Sequence, residues 1–287
     1  MAEKVAIVTD STACIPQEMA EKYGIEIVPV VFIFGDQSYL DGVDMSTAEF
    51  YERLKSSEKL PTTSGSQPGS YLDAYKKVSQ VANSILCVTI PARLSGMFNS
   101  AQMAMKTAKE IIPGVTIEVL DCGTAAAAQG LVALEAAKAA AMGKNLSEVL
   151  ARARDIMKRV HLLATLDTLN YLVKGGRVPK AAALASSLLQ IKPIFTVNGG
   201  EARPLTNART MPGALNQIVK MMKERIVGGK ELHVAIMHAD ALERARNLAA
   251  EISNKYPCSE LFITEFTPVM GVHTGPGVVG VAFFSEE

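Results

Sequence analysis

The feature that most constrains this chain is an order of elements. Through its first half, short continuous apolar runs alternate with longer segments of helical periodicity. Residues 4–9 (KVAIVT) read as a buried strand. The helix that follows takes Pro16 in its first turn and stops at Gly24. Residues 25–34 read as the next strand, Gly35-Asp36 as a turn into a polar loop, and 46–56 as a helix with Ser46 and Glu49 spaced as in a capping box. Residues 56–69 (SSEKLPTTSGSQPG) are a hydroxyl-rich loop by composition. Helix 70–81, strand 84–90, helix 95–111, strand 115–120 and helix 125–142 complete the run. A repeated β-α unit predicts a parallel sheet covered by helices on both faces.

Near Gly143 the pattern changes. A charged helix over 145–159 leads into LLATLDTLNYLVKGGR, where Asp167 or Thr168 opens a helix and Gly175-Gly176 closes it. Beyond lie a helix (181–189), a strand pair across Asn198-Gly199-Gly200, a helix (211–225), a strand (232–238), a helix (241–255), and strands 259–264 and 278–284. The expected fold is α/β in two domains: an N-terminal parallel-sheet α/β domain, 1–160, and a C-terminal α+β domain with a mixed or antiparallel sheet, 161–287.

Composition narrows the function. The 287 residues balance 29 Lys+Arg against 29 Asp+Glu, and 48% are hydrophobic. Such a chain is globular, and it lacks the basic excess that a nucleic-acid backbone or an acidic membrane surface demands. The longest apolar stretch, residues 27–34, contains Pro29 and falls far short of the ~20 residues of a membrane span. The reading is therefore a cytoplasmic protein with no transmembrane segment and no nucleic-acid partner. Cys14, Cys87, Cys122 and Cys258 are scattered, which favours plain reduced thiols. With 13 Met and no Trp, the chain carries a surplus of aliphatic surface still to be placed.

Four stretches hold residue types that packing does not require. Pro61-Thr62-Thr63-Ser64 precedes a helix, and hydroxyls beside free backbone N–H groups suit an anion; they equally suit a solvated loop with a helix cap. In Pro91-Ala92-Arg93-Leu94-Ser95-Gly96, Ser95 falls at the carboxyl end of a strand, where open α/β sheets bind ligands, or caps the next helix. Lys174-Gly175-Gly176-Arg177 ends a helix and brings two cations into a loop. His273, beside the glycine turn of HTGPGVVG, is a donor expected to titrate near neutrality.

Several chemistries are excluded. Gly275, Gly277 and Gly280 mimic a dinucleotide fingerprint, but a strand pattern follows where that fingerprint needs a helix. There is no phosphate-binding P-loop, no G-x-S-x-G, and no metal-ligand spacing among His161, His233, His238 and His273. No cofactor and no metal are expected.

Taken together, KVAIVTDST, PTTS, LSG, VLDC, YLVKGGRV and HTGPGVVG resemble, in order and spacing, the DegV family of bacterial fatty-acid-binding proteins. The resemblance implies a long-chain fatty acid such as palmitate in a tunnel between the two domains. Its carboxylate would be held by Thr63 and Ser95, with Thr62 and Gly96 in the same motifs and His273 near the head group. It further implies a non-catalytic protein that presents lipid to a separate ATP-dependent fatty-acid kinase subunit, or that serves lipid transport, with Arg177 and Arg209 at the partner contact. The chain departs from the family's usual residues in T-S-G-S-Q-P, in Ala92-Arg93 ahead of L-S-G, in Met97 after it, and in Cys122. The enzymatic alternative is an acyl or phosphoryl hydrolase or transferase with Ser95 as nucleophile and His273 as base.

Overall fold

A computed structural model describes residues 3–178, 191–228 and 230–286; the helix expected at 181–189 lies outside them. In chain order the first half contains β1 (Val5–Asp10), a short 3-10 turn (Ser11–Ala13), α1 (Gln17–Tyr23), β2 (Ile25–Val28), β3 (Val31–Phe34), β4 (Gln37–Leu40), α2 (Thr47–Ser56), β5 (Thr62–Thr63), α3 (Pro68–Ser79), β6 (Ser84–Thr89), α4 (Met97–Ile111), β7 (Thr116–Asp121), α5 (Ala126–Ala141) and α6 (Leu146–Arg159). The second half contains β8 (His161–Thr165), α7 (Asn170–Gly175), β9 (Lys192–Asn198), β10 (Glu201–Ala208), α8 (Met211–Lys223), β11 (Leu232–His238), α9 (Leu242–Lys255), β12 (Cys258–Glu265), α10 (Pro268–Thr274) and β13 (Val279–Ser285).

The first sheet, in the order β2-β1-β6-β7, is parallel throughout, as the β-α repeat predicts. Its central strand β6 is buried along its whole length, the signature of a sheet covered on both faces. The second sheet, in the order β10-β9-β8-β13-β11-β12, is antiparallel except for the parallel pair β11 and β12. Between them runs α5. Residues 126–137 are all buried, because one side of the helix packs on β1 and β6 and another on β11 and β13. A helix apolar all round is a helix with no solvent face, and this one absorbs much of the aliphatic surplus.

Four local readings are corrected. Residues 25–34 do not form one strand. Pro29 cannot donate to a ladder, and the chain there leaves the parallel sheet; β3 joins a separate antiparallel sheet, β4-β3-β5. The loop over 56–69 contains β5, which pairs Thr63 with Phe32, and the polar stretch after Gly35-Asp36 contains β4. The strand β8 was hidden at the head of LLATLDTLNYLVKGGR; the helix after it ends at Gly176, with φ +68°, as expected. Finally, residues 268–274, to which the sequence reading gave no element, are the helix α10. No described helix is long and apolar enough to cross a membrane.

Candidate functional site

Thr63 is fixed by β5: its backbone pairs with Phe32, and the next residue, Ser64, donates from N to the carbonyl of Val31 at 3.0 Å. The following T-S-G-S turn is held from outside by two bonds of Ser66. Gly65 takes the left-handed φ of +71°, Ser66 Oγ donates to the Pro29 carbonyl at 2.7 Å, and Ser66 N donates to Met97 Sδ at 3.0 Å. Met97 therefore supplies a weak acceptor to this turn.

Ser95 sits on a tight turn at the carboxyl end of β6, with its N–H donating to the Pro91 carbonyl at 3.1 Å. Two carboxylates pin that turn. Asp10 Oδ2 accepts from Ile90 N at 3.1 Å, and Asp121 Oδ2 accepts from Ala92 N at 3.0 Å. The helix after it starts at Met97 with Gly96 as its cap residue, so Ser95 does not cap it. The Ser95 hydroxyl is left without a hydrogen bond to any described residue.

His273 rides on α10. The glycines after it are there for close approach: a Cβ on Gly275 would stand 2.1 Å from the Tyr171 ring, and one on Gly277 2.2 Å from Asp167 Oδ2. This wedges the turn against α7 and aims the imidazole at β5, where His273 Nε2 meets Thr63 Oγ1 at 2.9 Å. His273 Nδ1 is buried with no partner among the described residues. Burial, with the Arg177 charge in support, pushes the imidazole down to about 4. The expectation of titration near neutrality is thus corrected, and the ring is neutral at pH 7. A neutral imidazole carries one proton. Placed on Nε2, that proton is donated to Thr63, whose own hydroxyl proton is then free to point onward, and Nδ1 is left as a bare lone pair.

Thr63, Ser95, His273 and Arg177 line one cavity of about 130 Å³. Its remaining wall is mostly apolar, including Val30, Ile90, Leu172, Val197, Val269 and Met270. The β9–β10 hairpin contributes Val197 and Ala202 and is tied to the first sheet by Thr124 Oγ1, which donates to the Val197 carbonyl at 3.1 Å. An outer cleft of about 250 Å³ shares Thr63, Arg177 and His273 and adds Thr62 and Lys174. Gly96 and Arg209 line neither space, and Arg209 is exposed beyond β10. Larger clefts, of about 790 and 990 Å³, open elsewhere but are walled by several charged side chains and hold none of these residues. The apolar wall from α10 escaped the sequence reading. The signal was present in Thr267-Pro268 ahead of a Gly275 stop, a helix start and end of the ordinary kind.

The pairing of Ser95 with His273 as nucleophile and base is not what the geometry presents, because Nε2 is engaged by Thr63. What the cavity offers is hydroxyl donors at one end and hydrocarbon along its wall.

A family model described as "Uncharacterised protein, DegV family" matches residues 4–286. A DegV domain-containing protein of Clostridium perfringens is 34% identical over 282 residues, covering 98% of this chain and 99% of that one. Two solved structures superpose closely. DegV from Bacillus subtilis, described as a fatty acid binding protein, has a TM-score of 0.90 at 29% identity over 99% of this chain and 100% of that one. A stearic acid-binding protein from Eubacterium ventriosum has a TM-score of 0.90 at 25% identity over 99% of this chain and 98% of that one. With the match spanning nearly its whole length, the chain belongs to the DegV family.

Proposed function

We propose that this protein binds a long-chain fatty acid, with its carboxylate at Thr63 and Ser95 and its tail along the apolar cavity between the unit 1–160 and the unit 161–287. The observation that carries the reading is the convergence of the Thr63–His273 pair and the unengaged Ser95 hydroxyl on one apolar-walled space. The description of the Bacillus subtilis and Eubacterium ventriosum proteins as fatty-acid binders supports it. The wall draws on both units: Val30 and Ile90 from the first, Leu172, Val197 and Met270 from the second. Burial of each methylene contributes ~0.8 kcal/mol before ordering costs, so binding grows with the length of tail that the apolar wall covers. Hydroxyl donors suit a carboxylate that is held without a buried counter-charge, while Arg177 on the rim adds long-range attraction.

In the same reading the lipid is presented to a separate ATP-dependent kinase subunit, with Arg177 at the rim and the exposed Arg209 as contacts. The absence of a P-loop motif in the chain supports a non-catalytic role for it.

Native mass spectrometry of the purified protein is expected to show a fatty-acid adduct, or one that forms on adding palmitate. Protein that arrives empty and stays empty sinks the proposal. Ser95→Ala is expected to weaken binding by about tenfold through lost carboxylate fixation, leaving the tail contribution intact. A serine-directed acylating probe that labels Ser95 would revive the hydrolase alternative.

A further inference from the structure

The segment that carries His273 is held by a residue far from it in sequence. α10 begins after Thr267, whose side chain makes no capping bond to the helix; its hydroxyl donates instead to the Ser11 carbonyl at 3.3 Å. The place of the cap is taken by Asp41, from the loop after β4: its Oδ1 accepts from Val269 N, in the first turn of α10, at 3.2 Å. Asp41 is only 3% exposed, and its second oxygen, Oδ2, is buried with no hydrogen-bond partner among the described residues. A buried carboxylate oxygen without a hydrogen-bond partner is costly. The cost also appears in its acidity, which burial pushes up to about 6 against the opposing pull of the nearby Ser11 and Thr267 hydroxyls and the Val269 N–H.

The rest of α10 has little freedom. A Cβ on Gly271 would lie 2.6 Å from the Phe50 ring and 2.8 Å from Tyr51 Oη, so the helix backbone rests directly on α2. Tyr51 Oη also donates to the Phe266 carbonyl at 3.1 Å, just ahead of the helix. With the middle of α10 pressed on α2 and its far end wedged at Tyr171, the bond from Asp41 fixes the remaining end. The helix is a short lever of seven residues, just under two turns, so a shift at Val269 is carried to His273.

We infer that Asp41 is a positioning residue for the lipid head group: by capping α10 from another segment of the fold, it sets the imidazole of His273 against Thr63. Asp41 lines neither the apolar cavity nor the outer cleft but the separate cleft of about 790 Å³, so it reaches the head-group end through the helix. The inference concerns the same site as the proposed function and rests on that reading only for its consequence for lipid.

The test uses the full chain labelled at histidine and backbone nitrogen, with the His273 ring resonances assigned by their loss in His273→Gln. In ligand-free protein, Asp41→Ala is expected to displace those resonances while the other three histidines keep theirs. Asp41→Asn, whose side-chain carbonyl can still accept from Val269 N, is expected to restore them. Palmitate binding should follow: about tenfold weaker in Asp41→Ala and within about twofold of the parent in Asp41→Asn. Folded Asp41→Ala with an unmoved His273 ring overturns the inference, and so does Asp41→Asn that behaves like Asp41→Ala. If Asp41→Ala does not fold, Asp41→Asn decides. In that arm, an Asp41→Asn protein whose Val269 amide resonance moves while the His273 ring holds its place supports the inference, and an unmoved Val269 amide overturns it. Because the resonances are read without lipid, a parent protein that binds no palmitate refutes the proposed function while leaving the positioning of His273 by Asp41 standing.

Discussion

His273 and Asp41 are two buried titratable groups whose protons run in opposite directions. The His273 ring is held neutral, down to about 4, by burial and by the Arg177 charge. A base whose folded value lies below its ordinary 6.5 contributes stability that is present above 6.5 and lost as pH falls through about 4. Ring titration followed by NMR is therefore expected to have its midpoint near 4, and Arg177→Ala is expected to raise it; a midpoint near 6.5 would contradict the burial described. For Asp41 the sign reverses. Its acid is favoured in the protonated form by the fold, so its contribution is complete below 3.8 and is lost as pH rises through about 6. Asp41→Asn abolishes that loss. Its stability relative to the parent should improve by roughly 1 kcal/mol between about pH 5 and about pH 8, read from denaturant unfolding at the two values. A pH-independent difference would count against it.

The elements that carry the site differ in how plainly the sequence announces them. The parallel strands and their helices were legible because each is long and of one pattern: continuous apolar runs for β1 and β6, a partly alternating one for β7, and uninterrupted stretches of helix-forming residues for α3 to α6. β5 is only Thr62 and Thr63, too short for any alternation, and it exists because Phe32 offers an edge to pair with. Tertiary context likewise cuts residues 25–34 in two at Pro29, where an apolar run reads as continuous. Motif residues proved more legible than their surroundings. Thr63, Ser95 and His273 do meet at one cavity, whereas Met270 and Val269, aliphatic like any core residue, gave no sign that they line it. α10 is the element on which the site turns. Gly271→Ala forces a methyl against Phe50 and Tyr51 and is expected to cost about 1–3 kcal/mol, with weaker fatty-acid binding because His273 moves with the helix. A thermal melt and a palmitate titration check both; an unchanged melt would mean that α2 yields.

Across the whole molecule, α5 and α6 are tied to the second sheet by a network of charge as well as by packing. Lys138 Nζ lies 2.9 Å from Glu135 Oε1 and 2.8 Å from Glu260 Oε2, and Arg152 bridges Glu135 to Glu286. Glu135, His233 and Glu260 come close enough together to suggest a metal site, but the Lys138 ammonium already stands among the carboxylates. Lys138→Met leaves Glu135 buried with half its pairing and should destabilise the protein by about 2–3 kcal/mol, measured by denaturant unfolding. Little or no change would show that Arg152 alone suffices. α5 itself sets a further condition. Its alanines are the common floor of two sheets, so neither can enlarge its inward residues without the other giving way. The two halves look interchangeable as modules, yet their histories are coupled through that helix: they must drift together, and a hybrid drawing its halves from distant relatives would inherit a helix fitted to only one of them.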